Sequence, residues 1–274
     1  IKALLATTPL QSVSGILNGT TNYILTEMKD KGRSFEEVLE EAQKLGYAEF
    51  DPTNDIEGYD ALYKIKILSR LAFGVWPEDE QFISSGISSI SYEVMELSER
   101  LDCKIKLIAE TSIRNGEICG YVTPAFVHSS HALAAINGVT NGICLEGSTI
   151  QQLMLSGPGA GKEATANSMV EDFVLHQQHV AFARPVLQKN HVSGSAKREI
   201  TLLCLLGENE REPFLTKMVN WAGEIISELT VNDQAAFVVK LTTAKPYHDI
   251  KTELNTSCFP VVGQLNVAKI ALPF

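Results

Sequence analysis

Residues 42–64 read AQKLGYAEFDPTNDIEGYDALYK. Four acids, Glu49, Asp51, Asp55 and Asp60, with a fifth at Glu57, lead up to Lys64, which opens a long apolar helix. Asp60 and Lys64 are four residues apart, so on a helix they share one face about a turn apart. Pro52 and Gly58 punctuate the segment and place the earlier acids on a turn rather than along a helix. Carboxylates on a loop that converge on an Asp–Lys pair at a helix start make a polar pocket for a small zwitterion. The acids take its ammonium group, and the lysine takes a carboxylate or a reacting oxygen. Spacing alone does not compel that reading, because most such pairs are solvated surface pairs worth roughly 0.3–0.5 kcal/mol.

Working outward, residues 12–17 read as a short strand, followed by Asn18-Gly19-Thr20-Thr21-Asn22 and a helix to about residue 31. Asn18 or Thr20 supplies its cap. Residues 1–8 read as the tail of a helix cut off upstream. Ser34 and Glu37 have the spacing of a capping box, and the helix they open stops at Gly46. The Lys64 helix runs to about residue 73 with Leu62, Ile65, Leu68, Leu71 and Ala72 on one apolar face. A helix over 91–101 precedes strands at 104–112, 118–127 and 138–145, with a further short strand at 150–155. Helices first and strands later predict an α+β layer with one sheet face on helices, the other face being free to pair with a second copy.

The run Ser156-Gly157-Pro158-Gly159-Ala160-Gly161-Lys162-Glu163 then enters a helix over 163–179. It fails as a triphosphate loop: Ser156 stands where the first glycine is required, and Glu163 where Ser or Thr binds Mg²⁺. A glycine-rich turn feeding a helix still lets backbone approach a ligand closely. His176 and His179 lack a third ligand nearby, so no metal site is expected. Residues 183–197 lose periodicity and read as a linker. Beyond it, strand 199–206, helix 212–222, strands 224–231 and 234–242, helix 246–254 and strand 265–272 follow the ferredoxin-like order β-α-β-β-α-β. Two domains are therefore expected, at 1–182 and 198–274.

The 274 residues are 45% hydrophobic and 20% charged, a globular balance with room for two domains. A formal net charge of -10 argues against a nucleic-acid surface. No apolar run is long enough to span a membrane. Five scattered cysteines without C-x-x-C spacing read as buried free thiols in a reducing compartment, hence a cytoplasmic location. The chain begins at Ile1 without a signal-peptide pattern, which reads as part of a longer protein.

The central stretch resembles the signature of the homoserine dehydrogenases: an alanine, a glycine–aromatic pair, then D-P-x-x-D-[aliphatic]-x-G-x-D-x-x-x-K. Here these are Ala42, Gly46-Tyr47, Asp51-Pro52, Asp55-Ile56, Gly58, Asp60 and Lys64, with every fixed position filled. The segment from Gly15 through Tyr23, GILNGTTNY, is similar to the family's strand-to-helix segment below the active site. Gly157-Pro158-Gly159-Ala160-Gly161 with Thr165-Ala166 is similar to its second glycine segment. The likeness runs from residue 1 to about 176, and the tail resembles the regulatory ACT domain that some members carry. The implied fold is α+β: a mixed sheet covered by helices, followed by a ferredoxin-like, ACT-like domain.

The resemblance implies an oxidoreductase reducing L-aspartate 4-semialdehyde to L-homoserine with NADPH or NADH, in threonine and methionine biosynthesis. It implies that Glu49 and Asp60 hold the amino-acid substrate, with Gly19, Thr20 and Tyr47 lining the pocket and Asp55 close by. Lys64 is implied as the acid/base group at the carbonyl or hydroxyl oxygen, oriented by Asp60. Gly161 and Gly159 are implied to approach the nicotinamide half of the cofactor. A homodimer and an amino-acid effector such as threonine are implied partners, with no nucleic acid or membrane. Two departures qualify this. The sequence contains no G-x-G-x-x-G after a strand, so the Rossmann half is missing and the 274 residues alone are expected to be inactive. The tail's first loop, Gly207 through Phe214, lacks the glycine turn at which ACT domains receive an effector. The alternative is a non-catalytic amino-acid-sensing or oligomerisation module acting through its tail. The Asp60–Lys64 pair and Glu49 weigh against that, since a pure sensor does not need them.

Overall fold

The computed structural model describes residues 8–114, 117–178, 198–207, 209–231, 234–243 and 247–265. The first half runs β1 (Leu10–Ile16), α1 (Gly19–Lys31), α2 (Phe35–Lys44), α3 (Thr53–Ile56), α4 (Tyr59–Phe73), β2 (Phe82–Ser84), α5 (Tyr92–Arg100), β3 (Cys103–Arg114), β4 (Glu117–His128), β5 (Thr140–Gly147), β6 (Gln151–Pro158) and α6 (Lys162–Gln177). The tail runs β7 (Arg198–Leu206), α7 (Arg211–Asn220), β8 (Glu224–Val231), β9 (Gln234–Thr243), α8 (Tyr247–Leu254) and β10 (Ser257–Val262).

Local chemistry sets the helix ends. Ser34 and Glu37 form the reciprocal capping box that starts α2, and Asn18 accepts from the Thr21 N–H to start α1. Gly58 has φ +81°, a left-handed conformation that glycine adopts without strain, and it sets α4 off in a new direction. The acids ahead of α4 do not all lie on an irregular turn: Asp51 precedes and Asp55 sits within the single helical turn α3. Lys64 is likewise in the second turn of α4, not at its opening. The buried face of α4 centres on Ala61, Ile65, Ser69 and Phe73 and includes Lys66, whose ammonium reaches out to Asp79.

The strands form one mixed sheet, ordered β6-β5-β1-β3-β4-β10-β7-β9-β8. β2 also pairs with β4, parallel to it, through Phe82↔Gly120 and Ser84↔Val122. The tail contributes β10-β7-β9-β8, all antiparallel, which is the ferredoxin-like order. It does not stand apart: β10 continues the first half's sheet by pairing parallel with β4 at Val261↔Phe126 and Val262↔Val127. Alternation along β3 divides the core. Ile105, Leu107 and Ala109 join residues of α1, α2, α4 and α5 on one face, while Ile108 joins Tyr121, Ala125 and residues of α7 and α8 on the other.

Several expectations need correction or fall elsewhere. Among the described residues the tail ends in a strand over Ser257–Val262 that was not foreseen, while the strand expected at 265–272 lies, from residue 266 on, outside the described residues. The short β2 was not foreseen. The helix expected over residues 1–8, all but its last residue, the linker at 183–197, and His179 also lie outside the described residues. The five cysteines are free, with Cys119 partly exposed and the other four buried. Cys204 and Cys258 face each other as register partners on β7 and β10, their sulfurs 2.8 Å apart.

Candidate active site

The end of β1, the start of α1, α3 and the first turns of α4 meet at one point. Lys64 Nζ donates to Asp60 Oδ2 at 2.7 Å and to the Leu17 carbonyl at 3.0 Å. Asn18 Nδ2 donates to the same Asp60 oxygen at 2.8 Å and to Asp55 Oδ1 at 2.7 Å. Asn18 Oδ1 meanwhile accepts from the Thr21 N–H and hydroxyl. The Asn18 amide therefore uses both donors and both acceptor positions, and holds two carboxylates together that would otherwise repel. The Lys64 side chain is 44% exposed and Asp60 30%, so the pair is fixed from below yet open to a ligand above.

Thr20 and Tyr47 flank this centre. Thr20 Oγ1 donates to the Tyr47 carbonyl at 2.8 Å, tying the start of α1 to the loop after α2. The Tyr47 ring packs on Tyr23 at 4.9 Å between centroids. Gly19 lies against the 139 carbonyl, 3.0 Å from where its Cβ would be. Glu49 is not drawn in. It lies on the exposed loop, where its carbonyl accepts from Gln43, and among the described residues its carboxylate bonds to neither Asp60 nor Lys64. Asp51 turns back to Thr53, whose hydrogen bonds lower its pKa. Glu57 accepts from Ser88.

The second glycine segment reaches the same centre through Asn141, a residue the sequence reading passed over. Asn141 Nδ2 donates to the Leu17 carbonyl that also receives Lys64, at 3.2 Å. Gly159 packs directly on this amide, and a Cβ at 159 would fall on the Asn141 side chain. Asn141 Oδ1 is buried without a hydrogen-bond partner among the described residues. Gly161, at φ +110°, begins α6 with no side-chain cap, leaving first-turn N–H groups open. Open first-turn N–H groups, the Asn141 amide and two glycines that admit close approach suit the polar carboxamide of a nicotinamide, so the residues present fit the reactive half of a dinucleotide. Among the described residues no group of three or more His, Cys, Asp and Glu is placed to hold a metal, and no helix is long and apolar enough to cross a membrane.

The bridging role of Asn18 was missed too, since the sequence marks it only as a cap. Its carboxylate partners are 37 and 42 residues away, a proximity that no local pattern announces.

The site can bind an ammonium or hydroxyl group at its carboxylates and present an ammonium donor to an oxygen. Residues 1–174 match the homoserine dehydrogenase family model. A homoserine dehydrogenase of Lactococcus lactis is 41% identical over 160 residues, 58% of this chain and 37% of that one. The crystal structure of a homoserine dehydrogenase from Thiobacillus denitrificans superposes with a TM-score of 0.77 at 28% identity, covering 95% of this chain and 66% of that one. A hyperthermophilic archaeal homoserine dehydrogenase in complex with NADPH superposes with a TM-score of 0.56 at 29% identity, covering 66% and 51%. The chain spans about two fifths of the length of the curated relatives it matches. With Asp55, Asp60 and Lys64 of its signature gathered at one centre and residues 1–174 matching the family model, the chain belongs to the homoserine dehydrogenase family.

Proposed function

We propose that the protein reduces L-aspartate 4-semialdehyde to L-homoserine with NADPH or NADH, and that these residues carry its substrate-binding and acid/base part. The observation that carries this is the Asp60–Lys64 pair, anchored by Leu17 and Asn18 beside the Gly159 rim. The cofactor, when bound against Gly159 and Gly161, supplies a hydride to the aldehyde carbon. As the carbonyl oxygen gains charge, the Lys64 ammonium stabilises it and transfers a proton to it, and the neutral amine is reprotonated from solvent. Asp60 holds the Lys64 ammonium in place through their direct contact. Asp60 and Glu49 bind the substrate ammonium; Asp55 supports Asp60 through Asn18, and Gly19, Thr20 and Tyr47 shape the wall.

The finer organisation belongs to the same reading. Residues 1–182 act as the catalytic and dimerisation domain. Residues 198–274 act as an ACT-like regulatory domain, whose β-α-β-β-α-β order supports that role. The protein works in the cytoplasm, in threonine and methionine biosynthesis.

The test is homoserine oxidation by the full-length protein, followed as nicotinamide absorbance, with wild type beside Lys64→Ala. General acid–base catalysis is worth about 10²–10⁴-fold, so kcat is expected to fall by that order with a much smaller change in KM. A variant that loses only substrate affinity removes Lys64 from the chemical step.

A further inference from the structure

β10 is the strand by which the tail's sheet joins the first half. It pairs antiparallel with β7 from Ser257 to Val261 and parallel with β4 at Val261 and Val262. Cys258 on β10 and Cys204 on β7 are register partners in the antiparallel pair. Such partners hold their Cα atoms about 4.5–5.5 Å apart, inside the roughly 4.4–6.8 Å that a disulfide spans. The Cys258 thiol donates to the Cys204 sulfur at 2.8 Å, closer than unbonded sulfurs ordinarily pack. A bond between them needs the sulfurs to close by less than about 1 Å.

The surroundings fix this geometry. The Tyr247 hydroxyl donates to the Cys258 carbonyl at 2.8 Å, and the Tyr247 ring packs on Tyr121 at 5.1 Å between centroids. The Thr256 hydroxyl donates to the carbonyl of Leu205, next to Cys204, also at 2.8 Å. Two groups held this way react as though at very high concentration.

Access is narrow. Cys204 is fully buried and Cys258 is 2% exposed. A polar cavity of about 480 Å³ at the junction of the tail with residues 85–89 is lined in part by Thr123, Pro124 and Cys258. It brings a molecule as small as hydrogen peroxide to the Cys258 side of the pair, while the buried sulfurs are closed to a bulky peptide disulfide. Burial and the neighbouring sulfur hold the Cys204 thiol protonated, its pKa well above the ordinary range.

We propose that Cys204 and Cys258 are a reversible disulfide site that takes a small peroxide as oxidant and a small dithiol as reductant, and that the bond staples the joining strand β10 into the tail's sheet. The Cys258 sulfur attacks a peroxide oxygen. An S–O bond forms, the O–O bond breaks, and the departing hydroxide leaves as water with the Cys258 proton. The Cys204 sulfur then attacks the Cys258 sulfur. The S–S bond forms, the S–O bond breaks, and the second hydroxide leaves as water with the Cys204 proton. Two thiols lose two electrons and one peroxide becomes two waters. A dithiol reverses the bond by exchange and is itself oxidised to a disulfide. A reducing compartment keeps the pair open, and peroxide closes it. This site does not depend on the proposed reaction.

The experiment is peroxide treatment of the folded full-length protein, followed by peptide mapping without reductant and by thermal melting. A peptide linking 204 to 258 is expected with hydrogen peroxide, absent with glutathione disulfide, and removed by dithiothreitol. Cys204→Ser and Cys258→Ser should each abolish it, and Cys119→Ser, at a partly exposed cysteine on β4, should leave it. The two cysteines are 54 residues apart, so the bond restricts the unfolded chain. Oxidised wild type should melt at least about 5 °C above the reduced protein, with no such shift in Cys204→Ser. Mapping on wild type needs no variant to fold. A linked peptide that appears only in urea, a link through Cys119 instead, or oxidation of Cys258 without a link overturns the site. A link that forms without raising the melting point overturns the staple. A link formed equally well by glutathione disulfide overturns the restriction to small oxidants.

Discussion

Asn18 is the residue on which the centre's geometry turns. It is buried, caps α1 through its oxygen and bridges Asp55 and Asp60 through its nitrogen. Replacing it with alanine removes a helix cap and leaves two carboxylates facing each other. A lost cap costs about 1 kcal/mol, and losing the hydrogen bonds to two half-buried carboxylates costs roughly 1–3 kcal/mol more. Asn18→Ala should therefore lower urea-unfolding stability by about 2–4 kcal/mol on those two terms. Asn18→Asp keeps an oxygen for the cap but adds a third carboxylate, so it should be most harmful near neutral pH and recover as the solution is acidified. Equal loss at pH 5 and pH 7 would show that repulsion is not the cause. The contrast with Lys64 shows what a sequence makes legible. Asp60 and Lys64 lie on one helix, so their contact follows from a four-residue spacing. Asn18 and Asn141 act across distant segments, and their importance emerges only when β1, β5 and α4 are brought together.

At the scale of elements, the buried Lys106 joins three of them. It projects from β3, is 1% exposed, and donates to Asn22 Oδ1 on α1 and to the Ile136 carbonyl and Asn137 Oδ1 on the loop before β5, at 2.9, 2.7 and 3.2 Å. Asn22 reinforces the same loop through the 136, 138 and 140 carbonyls, and that loop is the one that packs on Gly19. Burial, with a smaller contribution from Lys104, lowers the Lys106 pKa to about 7. The unfolded chain therefore holds this proton up to the ordinary lysine range while the folded chain releases it near neutrality. Between those limits the unfolded state binds more protons, so stability must rise with pH; the penalty of the buried charge is fully present only below about pH 7. Urea unfolding at pH 7 and pH 9 should show wild type gaining stability relative to Lys106→Met, whose curve lacks this component. Parallel behaviour of the two would mean that the ammonium stays charged inside the fold. Element existence was mostly readable from periodicity, but Lys106 sits within an apolar strand run and breaks no pattern. The strand at Ser257–Val262 was missed for a different reason. Pro260 interrupts the Ser257–Val262 run and argues against a strand. It is tolerated because pairing with β4 begins only at the next residue.

The whole molecule is more unified than two consecutive patterns in the sequence suggest. Periodicity gives each half its own elements but says nothing about the edge on which they join. β10 extends the sheet of the first half, and the Phe126 and Phe259 rings meet edge-on at 5.7 Å across that join. Arg100 at the end of α5 donates to the Thr230 carbonyl on β8 at 3.3 Å, and Leu203, Ala236 and Val238 of the tail share a core with Leu97 and Leu101. Cutting the chain after residue 197 would strip cover from β4 and α5 together. Each large apolar side chain returned to water costs about 1.5–3 kcal/mol, and several are uncovered at once, against a total stability of only about 5–15 kcal/mol for an ordinary domain. The chain ending at 197 should therefore aggregate or melt far below the full chain, and the full chain should unfold in one calorimetric transition. Two separate transitions, with the first half keeping its midpoint after truncation, would show that the halves are independently stable and that the shared sheet contributes little.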